Sequence, residues 1–369
     1  MKILHLAYDA GGIHTRLYHD IINAYRTLGH DVTEAYLTGT LAETYETPAN
    51  RVLALNLNPK SLKGLRRRLA VFRLRRLLIR ERFDAIITHR RKPAELMAHA
   101  SRGLPLRKRF AIWHDEGEFA RWNVCFGAAR LFRNWLLIGV SDAVRIDILS
   151  SRARFRSEQV IAINNAIDVS TIEPRILTRG EARAALGLAE GAFVFGNIGR
   201  LVPKKGQADL IRAFTQLGVQ FSHAHLVIVG HGRMFDELRD IVSNSALKSQ
   251  IHLTGALAEA FRYIKAFDVF VLPSYREGLP IALLEAACAH TPAIASDIGG
   301  NRAVLAGFGE LVPTGNIVAL SQAMQQTLQT PPALLIEQGE AFYQHLLQHF
   351  DRPIMLAQYQ KLLDNPQPI

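Results

Sequence analysis

Cysteine is nearly absent: Cys125 and Cys288 are the only two in 369 residues. They lie far apart and in no metal-ligand spacing, which excludes a disulfide-stapled module and a cysteine-built zinc site. So little cysteine favours a reduced, cytosolic compartment. Long apolar runs are missing too. No stretch of about 18 uncharged apolar residues occurs, so nothing reads as a membrane span. The opening residues, Met1-Lys2-Ile3-Leu4-His5-Leu6-Ala7-Tyr8-Asp9, turn acidic too early for a secretory signal and read as a first strand. The G-x-G-x-x-G spacing of dinucleotide enzymes, a Walker motif and a Ser-His-Asp signature are all lacking. Their absence argues against an NAD-linked oxidoreductase, a P-loop NTPase and a serine hydrolase.

Acidic residues fall short of the basic ones only in the first half. Residues 1–180 hold 30 Lys and Arg against 17 Asp and Glu, while residues 181–369 hold 14 against 16. Much of the excess falls between Lys60 and Arg82, where Arg66, Arg67, Arg68, Arg73, Arg75, Arg76 and Arg80 interleave with Leu62, Leu65, Leu69, Phe72, Leu77 and Ile79. A basic amphipathic helix of this kind suits an anionic membrane surface, each cation there contributing about 1 kcal/mol. The plainer reading is the solvated face of an ordinary helix. A nucleic-acid patch has no recognisable motif behind it, so nucleic acid is not an expected partner.

The length and the 49% hydrophobic content suggest two domains. Strand-like runs at Ile3–Ala7, Val52–Leu55, Ala85–Thr88, Phe110–Trp113, Leu136–Val140 and Val160–Ile163 alternate with helix-like segments. The pattern then restarts at Phe193–Ile198, His225–Val229, Ile251–Leu253, Val269–Leu272, Ala293–Ala295 and Leu311–Val312. Two successive βα series predict an α/β protein of two Rossmann-like domains, residues 1–172 and 173–350, joined near Asp168 to Arg179 where Pro174 interrupts periodicity. A final helix within 351–369 is expected to pack back on the first domain.

The most informative segment is Ser274-Tyr275-Arg276-Glu277-Gly278-Leu279-Pro280-Ile281-Ala282-Leu283-Leu284-Glu285. It follows a buried strand and carries two carboxylates eight residues apart. Pro280 suits a first helical turn, and Ile281 to His290 has helical spacing. Glu277 then lies in a strand-to-helix loop and Glu285 in the helix. Gly278 permits close backbone approach, and the helix start offers N–H groups to an anion. A ligand carrying both phosphate and many hydroxyls, such as a nucleotide-sugar, fits that layout. Upstream, Gly199-Arg200-Leu201-Val202-Pro203-Lys204-Lys205-Gly206 puts Arg200 and Lys205 beside another helix start, able to neutralise a diphosphate or to be merely solvated. Gly230 and the stretch Thr254-Gly255-Ala256-Leu257 end further strands where nucleotides bind in parallel sheets, although glycine pairs are weak signals. In the first half, Gly11-Gly12 follows the first strand, and His114 ends the Phe110–Trp113 strand beside Asp115, Glu116 and Glu118. No second His or Cys stands at ligand spacing, so no metal site is read there; His114 can hydrogen-bond a substrate, donate a proton or serve structure alone.

Taken together these segments resemble the retaining GT-B glycosyltransferases of family 4, over nearly the whole chain. The resemblance rests on Gly11-Gly12, on Gly139-Val140-Ser141-Asp142-Ala143-Val144, on Asn164-Asn165-Ala166-Ile167-Asp168, on Gly199-Arg200 with Lys205-Gly206, and on the Glu277/Glu285 pair. It implies an acceptor domain followed by a nucleotide-sugar domain, facing a central cleft. It implies that Arg200 and Lys205 hold the donor diphosphate, that Glu285 binds ribose hydroxyls, and that Glu277 contacts the transferred sugar. Backbone contacts from Gly12, Gly230, Leu257, Gly278, Leu279 and Pro280 would complete the donor site, and His114 would stand near the donor sugar. A hexose-type sugar would pass from a nucleoside-diphosphate donor, most readily a UDP-sugar, to a glycan or lipid-linked acceptor. No cofactor and no metal are expected, the leaving phosphate serving as base. Asn164-Asn165-Ala166 stands where Pro-Asn-Gly is usual, and Thr88-His89-Arg90-Arg91-Lys92-Pro93 is unusually basic. Arg66, Arg67, Arg68, Arg90, Arg91 and Lys92 therefore mark an acceptor and membrane side, pointing to lipopolysaccharide-type synthesis at the inner face of the plasma membrane. An epimerase or phosphorylase of the same fold, and a non-catalytic binder of anionic surfaces, are the competing readings.

Overall fold

The computed structural model describes residues 1–10, 15–41, 45–62, 64–120 and 127–364, with residues 15, 16, 61 and 65 described by their backbone alone. The chain divides into two compact units, Met1–Asn165 with Met355–Ile369, and Ala166–Ile354.

The first unit is built on β1 (Lys2–Ala7), β2 (Asp31–Tyr36), β3 (Arg51–Ala54), β4 (Ala85–His89), β5 (Lys108–Trp113), β6 (Leu136–Gly139) and β7 (Val160–Ala162). They pair in the order β3-β2-β1-β4-β5-β6-β7, and every pairing is parallel. β4 is buried at all five positions, as a strand covered on both faces must be. β2 is the strand that sequence patterning misses. Its Thr33 and Glu34 are polar yet buried, so neither alternation nor an apolar run marks it. The Glu34 carboxylate is held by the hydroxyls of Tyr36 (2.5 Å) and Tyr45 (3.3 Å), by Thr47, and by His19 Nε2 at 3.2 Å. That partnership makes a buried glutamate tolerable.

The second unit holds β8 (Phe193–Ile198), β9 (Ala224–Val229), β10 (Ile251–Gly255), β11 (Val269–Leu272), β12 (Ala293–Ser296) and β13 (Glu310–Val312). Its parallel order, β10-β9-β8-β11-β12-β13, reverses direction between β8 and β11 just as the first sheet does between β1 and β4. Such reversals open a crevice at the carboxyl ends of the strands. Phe195, Leu226, Val269, Val271 and Ile294 of the sheet pack with Leu210, Phe214, Leu320 and Met324 of its helices in one core.

The irregular connection expected over Asp168–Arg179 is mostly helical, with turns at Val169–Ile172 and Glu173–Arg175 and a helix at Arg179–Ala185. Thr178 and Glu181 close that helix's start reciprocally as a capping box. The last helix, Arg352–Asp364, runs into the first unit, where Tyr25 donates to the Tyr359 carbonyl and Lys108 to the Leu362 carbonyl, each at 3.1 Å.

Candidate functional site

Two loops meet where the second sheet reverses. From β8 the chain passes through Gly199-Arg200-Leu201-Val202 and a 3-10 turn, Pro203–Lys205, into the helix Gln207–Thr215. From β11 it passes through Pro273–Pro280 into the helix Ile281–Cys288. Gly206 lets the loops touch: at φ 71° it turns the chain, and a Cβ there would lie 2.1 Å from the Pro273 carbonyl oxygen. Tyr275 N–H donates to the Lys204 carbonyl at 2.8 Å, and Asn197 reaches across from β8 to the Val271 carbonyl at 2.7 Å. These links hold Lys205 Nζ 2.5 Å from Glu277 Oε1, with the two side chains 15% and 9% exposed. Ser274 Oγ donates to the same carboxylate oxygen at 2.6 Å. The sequence places Lys205 and Glu277 seventy-two positions apart; the strand order makes them neighbours.

Around this pair the remaining predicted donor residues fall as follows. Arg200 is exposed, and its guanidinium makes no hydrogen bond or ion pair among the described residues, only its carbonyl being engaged by Gln207 and Val202. Gly230 ends β9; a Cβ on it would lie 1.9 Å from the Gly199 carbonyl oxygen, and its N–H donates to Gly255 at 2.8 Å. Leu257 follows β10 and is half-buried. Gly278 and Leu279 are buried beside Glu277, and Glu285 is half-buried within its helix. Pro280 differs from the expectation for the first helical turn: it is the N-cap, with ψ 104°, and Ile281 is the first helical residue. The helix also ends sooner, at Cys288, because His290 takes a positive φ of 56°. No side chain caps its start, which leaves the first N–H groups to the loop. Gly12 lies outside the described residues. Sequence reading did not single out the Ser274 hydroxyl, or Ser296 and Asn301 behind it. Ser296 donates to the Ser274 carbonyl, and Asn301 donates to the Ser296 carbonyl at 2.8 Å. Small polar residues one strand apart carry no periodic signal that would have marked them.

In the first unit, the residues at the sheet reversal are histidines. His5 on β1, His89 at the end of β4 and His114 just beyond β5 are 0%, 0% and 5% exposed. His114 Nε2 lies 3.0 Å from His89 Nδ1, and His89 Nε2 lies 2.9 Å from His5 Nε2. Tyr18 covers the row, its ring 4.0 Å from that of His89. Burial lowers His5 to about 4, against the pull of Glu34. Burial pushes the Tyr18 hydroxyl up, opposed by the Arg90 charge. Only His114 of these three stood out in the sequence; adjacency of strands β1, β4 and β5 is needed to find the others. Arg90, between β4 and the helix Arg91–Ala100, has φ 67° and ψ 165°, a conformation almost confined to glycine.

The basic residues separate into two settings. Arg67–Glu81 forms a helix that buries Ala70, Leu74, Leu77 and Leu78, with Arg66 in the preceding 3-10 turn and Arg68 exposed. Leu69, Phe72 and Ile79 of this helix stay 56%, 61% and 56% exposed. Arg75 is tied to the Ala100 and Arg102 carbonyls at 3.0 and 2.7 Å. Arg67, Arg91 and Lys92 line a cavity of 390 Å³ together with Arg102, Arg130, His99 and Glu95. Arg91 is paired there with Glu95 (3.2 Å) and Glu118 (3.4 Å). Arg90 is not among the residues lining it. The lining sets Arg67, Arg91, Lys92, Arg102 and Arg130 against the carboxylate of Glu95, which makes the cavity electropositive; burial, then the charges of Arg67 and Arg102, lower His99, opposed by Glu95. Among the described residues no cluster of His, Cys, Asp or Glu could hold a metal ion, and no helix is long and apolar enough to cross a membrane.

Residues 178–342 match the family model described as glycosyl transferases group 1, and residues 10–171 match that described as glycosyltransferase family 4. A relative from Escherichia coli, UDP-Gal:alpha-D-GlcNAc-diphosphoundecaprenol alpha-1,3-galactosyltransferase, is 28% identical over 246 residues, 63% of this chain and 62% of that one. The match thus spans less than two thirds of that relative's length. Among solved structures, a glycosyltransferase from Rickettsia africae superposes with a TM-score of 0.83 at 18% identity, covering 99% of both chains. Anabaena Alr3699/HepE in complex with UDP superposes with a TM-score of 0.81 at 22% identity, covering 99% of this chain and 100% of that one. At such identities the likeness is one of fold.

Proposed function

Because the chain belongs to the glycosyl transferases group 1, family 4, with the GT-B fold, we propose that it is a retaining, metal-independent glycosyltransferase using a nucleoside-diphosphate sugar, by preference a UDP-sugar. The Lys205–Glu277 pair at 2.5 Å carries the proposal. It joins a cation and a carboxylate at the carboxyl-end crevice of a doubly wound sheet, where a phosphate and a polyol can be bound side by side.

In this reading Lys205 and the exposed Arg200 neutralise charge as the diphosphate leaves, which supplies in the transition state what a metal would otherwise supply. The uncapped start of Ile281–Cys288 adds N–H groups and the positive end of a helix dipole. Glu277, oriented by Ser274, accepts hydrogen bonds from hydroxyls of the transferred sugar. Glu285 takes the ribose hydroxyls, and His114 contributes a hydrogen bond to the sugar, as the resemblance implies. The departing phosphate oxygen removes the acceptor proton, so none of these side chains need act as the base. The name of the Escherichia coli relative supports a UDP-sugar donor and a diphosphate-lipid acceptor. Incubation with radiolabelled UDP-sugars and a diphosphate-lipid acceptor tests the reading. Lys205→Ala and Glu277→Ala should abolish transfer while the fold persists, and unchanged turnover in both would overturn the assignment.

The acceptor is proposed to be lipid-linked and met at the inner face of the plasma membrane, in the synthesis of lipopolysaccharide or a similar cell-surface glycan. Support comes from the exposed row Leu69, Phe72 and Ile79, flanked by Arg68, Arg73, Arg76 and Arg80, beside the electropositive cavity. Apolar side chains within a cationic face match a surface of acyl chains under anionic headgroups. Co-sedimentation with anionic vesicles should fall when Arg66, Arg67, Arg68, Arg73 and Arg76 are neutralised together, and undiminished binding would sink the membrane assignment. Arg75 is left out of that set because its guanidinium is committed to two carbonyls.

A further inference from the structure

We propose that Arg102, Arg130 and Arg133, beside Arg109, form a phosphoryl-binding site in the first unit that takes a phosphomonoester or diphosphate group. The site lies at the opposite end of the sheet from the crevice. None of these four residues has a part in the proposed transfer, so the inference does not rest on the donor reading.

Topology sets the location. The helix Arg91–Ala100 carries the chain from the carboxyl end of β4 back toward the amino end of β5, and Arg102 lies in the connection. Arg109 is the second residue of β5, and Arg133 shortly precedes β6, the parallel neighbour of β5. His114 follows the far end of β5, roughly 16 Å along the strand from Arg109 at about 3.3 Å per residue. A cavity of 420 Å³ lies at this amino end, within the range of about 300–1,000 Å³ usual for small-molecule sites. The four arginines, Ser101 and Asn134 line it, and no carboxylate among the described residues does. Leu131 and the buried Trp135 add apolar wall, and a concave surface of one charge against such a wall concentrates potential.

Three features distinguish this cavity from an ordinary solvated face. First, the guanidinium groups of Arg102, Arg130 and Arg133 make no hydrogen bond or ion pair among the described residues. Arg80, Arg91, Arg107 and Arg145 of the same unit have each found a carboxylate. Second, Arg109 is a fixed charge: it is half-buried, and its Nη1 and Nη2 donate to the Leu106 and Leu104 carbonyls at 3.1 and 2.8 Å. Third, the field reaches a neighbour. The adjoining 390 Å³ cavity shares Arg102 and Arg130, and its His99 is lowered by burial, then by Arg67 and Arg102, against Glu95. Phosphate suits this setting better than carboxylate, because its tetrahedral oxygens accept from several planar guanidinium forks at once. The group can belong to a soluble phosphate ester or to a lipid headgroup. A headgroup there would sit near the helix Arg67–Glu81, which Arg75 ties to the Ala100 and Arg102 carbonyls.

Two measurements on the full chain test the site. One is calorimetric titration with inorganic pyrophosphate. The other is co-sedimentation with phosphatidylcholine vesicles carrying either phosphatidic acid, a phosphomonoester, or phosphatidylserine at equal surface charge. The variant Arg102→Gln/Arg130→Gln/Arg133→Gln should keep its Tm, since these guanidinium groups have no partners to lose. It should bind pyrophosphate at least about 10-fold more weakly, the factor expected from even one charge-assisted contact. The same loss should appear in a Lys205→Ala background, so the site is read independently of the donor loops. A control variant, Arg239→Gln/Lys248→Gln/Lys361→Gln, removes equal charge from exposed positions elsewhere and should bind as the unmodified protein does. A preference for phosphatidic acid that vanishes in the arginine variant identifies a lipid headgroup as the source. Arginine-dependent pyrophosphate binding without that preference identifies a soluble phosphate. The proposal is overturned if the arginine variant matches the unmodified protein in both measurements, or if the control variant loses as much.

Discussion

Replacing Lys205 by methionine separates the structural role of the Lys205–Glu277 pair from its proposed role in binding the donor. Lys205 Nζ is 2.5 Å from a carboxylate that is 9% exposed, so the lysine neutralises a nearly buried charge. Removing one partner of a fully buried pair costs about 3–5 kcal/mol. Here the lysine is 15% exposed and Ser274 Oγ remains on the carboxylate, which brings the expected cost to about 2 kcal/mol. For a domain of this size that corresponds to a Tm lowered by roughly 4–8 °C. Glu277→Gln keeps the shape and leaves the cation able to swing to solvent, for a cost of about 1 kcal/mol. In the double variant the penalties should not add, falling short of their sum by about 1 kcal/mol or more. Binding should move in opposite directions. Losing Lys205 removes the proposed charge-assisted contact to the diphosphate and should weaken UDP about 10- to 100-fold in titration calorimetry, from roughly 1.5–3 kcal/mol. Glu277→Gln releases the lysine from its competing partner and should tighten UDP, while transfer of the sugar is lost. Additive stabilities, or UDP affinity indifferent to Lys205→Met in a folded protein, would refute the reasoning.

Acid should expose the Glu34 cluster. Burial raises this carboxyl, but hydrogen bonds from His19, Thr47 and Tyr36 overcome it and bring it from 4.5 to about 2. Its stabilisation, about 3 kcal/mol, is therefore present above pH 4.5 and lost as pH falls through 2, and acid unfolding of Glu34→Gln should lack that dependence. Gly206→Ala forces a side chain into a positive-φ position against the Pro273 carbonyl and should cost about 2 kcal/mol or more by denaturant unfolding; a neutral outcome would show the loops are not tightly joined. Cys288 is buried, and burial, then Glu173 and Glu285, raise its thiol to about 12. In a Cys125→Ser background it should resist alkylation until the protein unfolds, and rapid native labelling would contradict its placement.

Much of the architecture was legible because parallel strands covered on both faces are short apolar runs between turn signals. β8 (Phe193–Ile198) and β11 (Val269–Leu272) have the bounds expected of them, and most other strands differ by a residue or two. β2 escaped because Thr33 and Glu34 break the apolar pattern, and what permits a carboxylate there is a set of hydroxyls from Tyr36, Tyr45 and Thr47 brought round by folding. Pro280 was misplaced by one position because proline at the cap and proline in the first turn look alike in a one-dimensional string. Likewise, the arginines of residues 66–80 form one charged run in sequence, yet Arg75 is tied to carbonyls whereas Arg67 faces a cavity.

The amino-acid order determined by itself the two βα series, the phosphate-suited loops and the candidate residues Arg200, Lys205, Glu277 and Glu285, since local periodicity and turn chemistry are properties of neighbouring positions. Strand order is not such a property. Only the tertiary structure brought Lys205 against Glu277, by setting β8 beside β11. Only it lined up His5, His89 and His114 from three strands that hydrogen-bond side by side. The reason is physical: which strands pair depends on how the whole chain buries its apolar surface, and a side chain's partner follows from that packing.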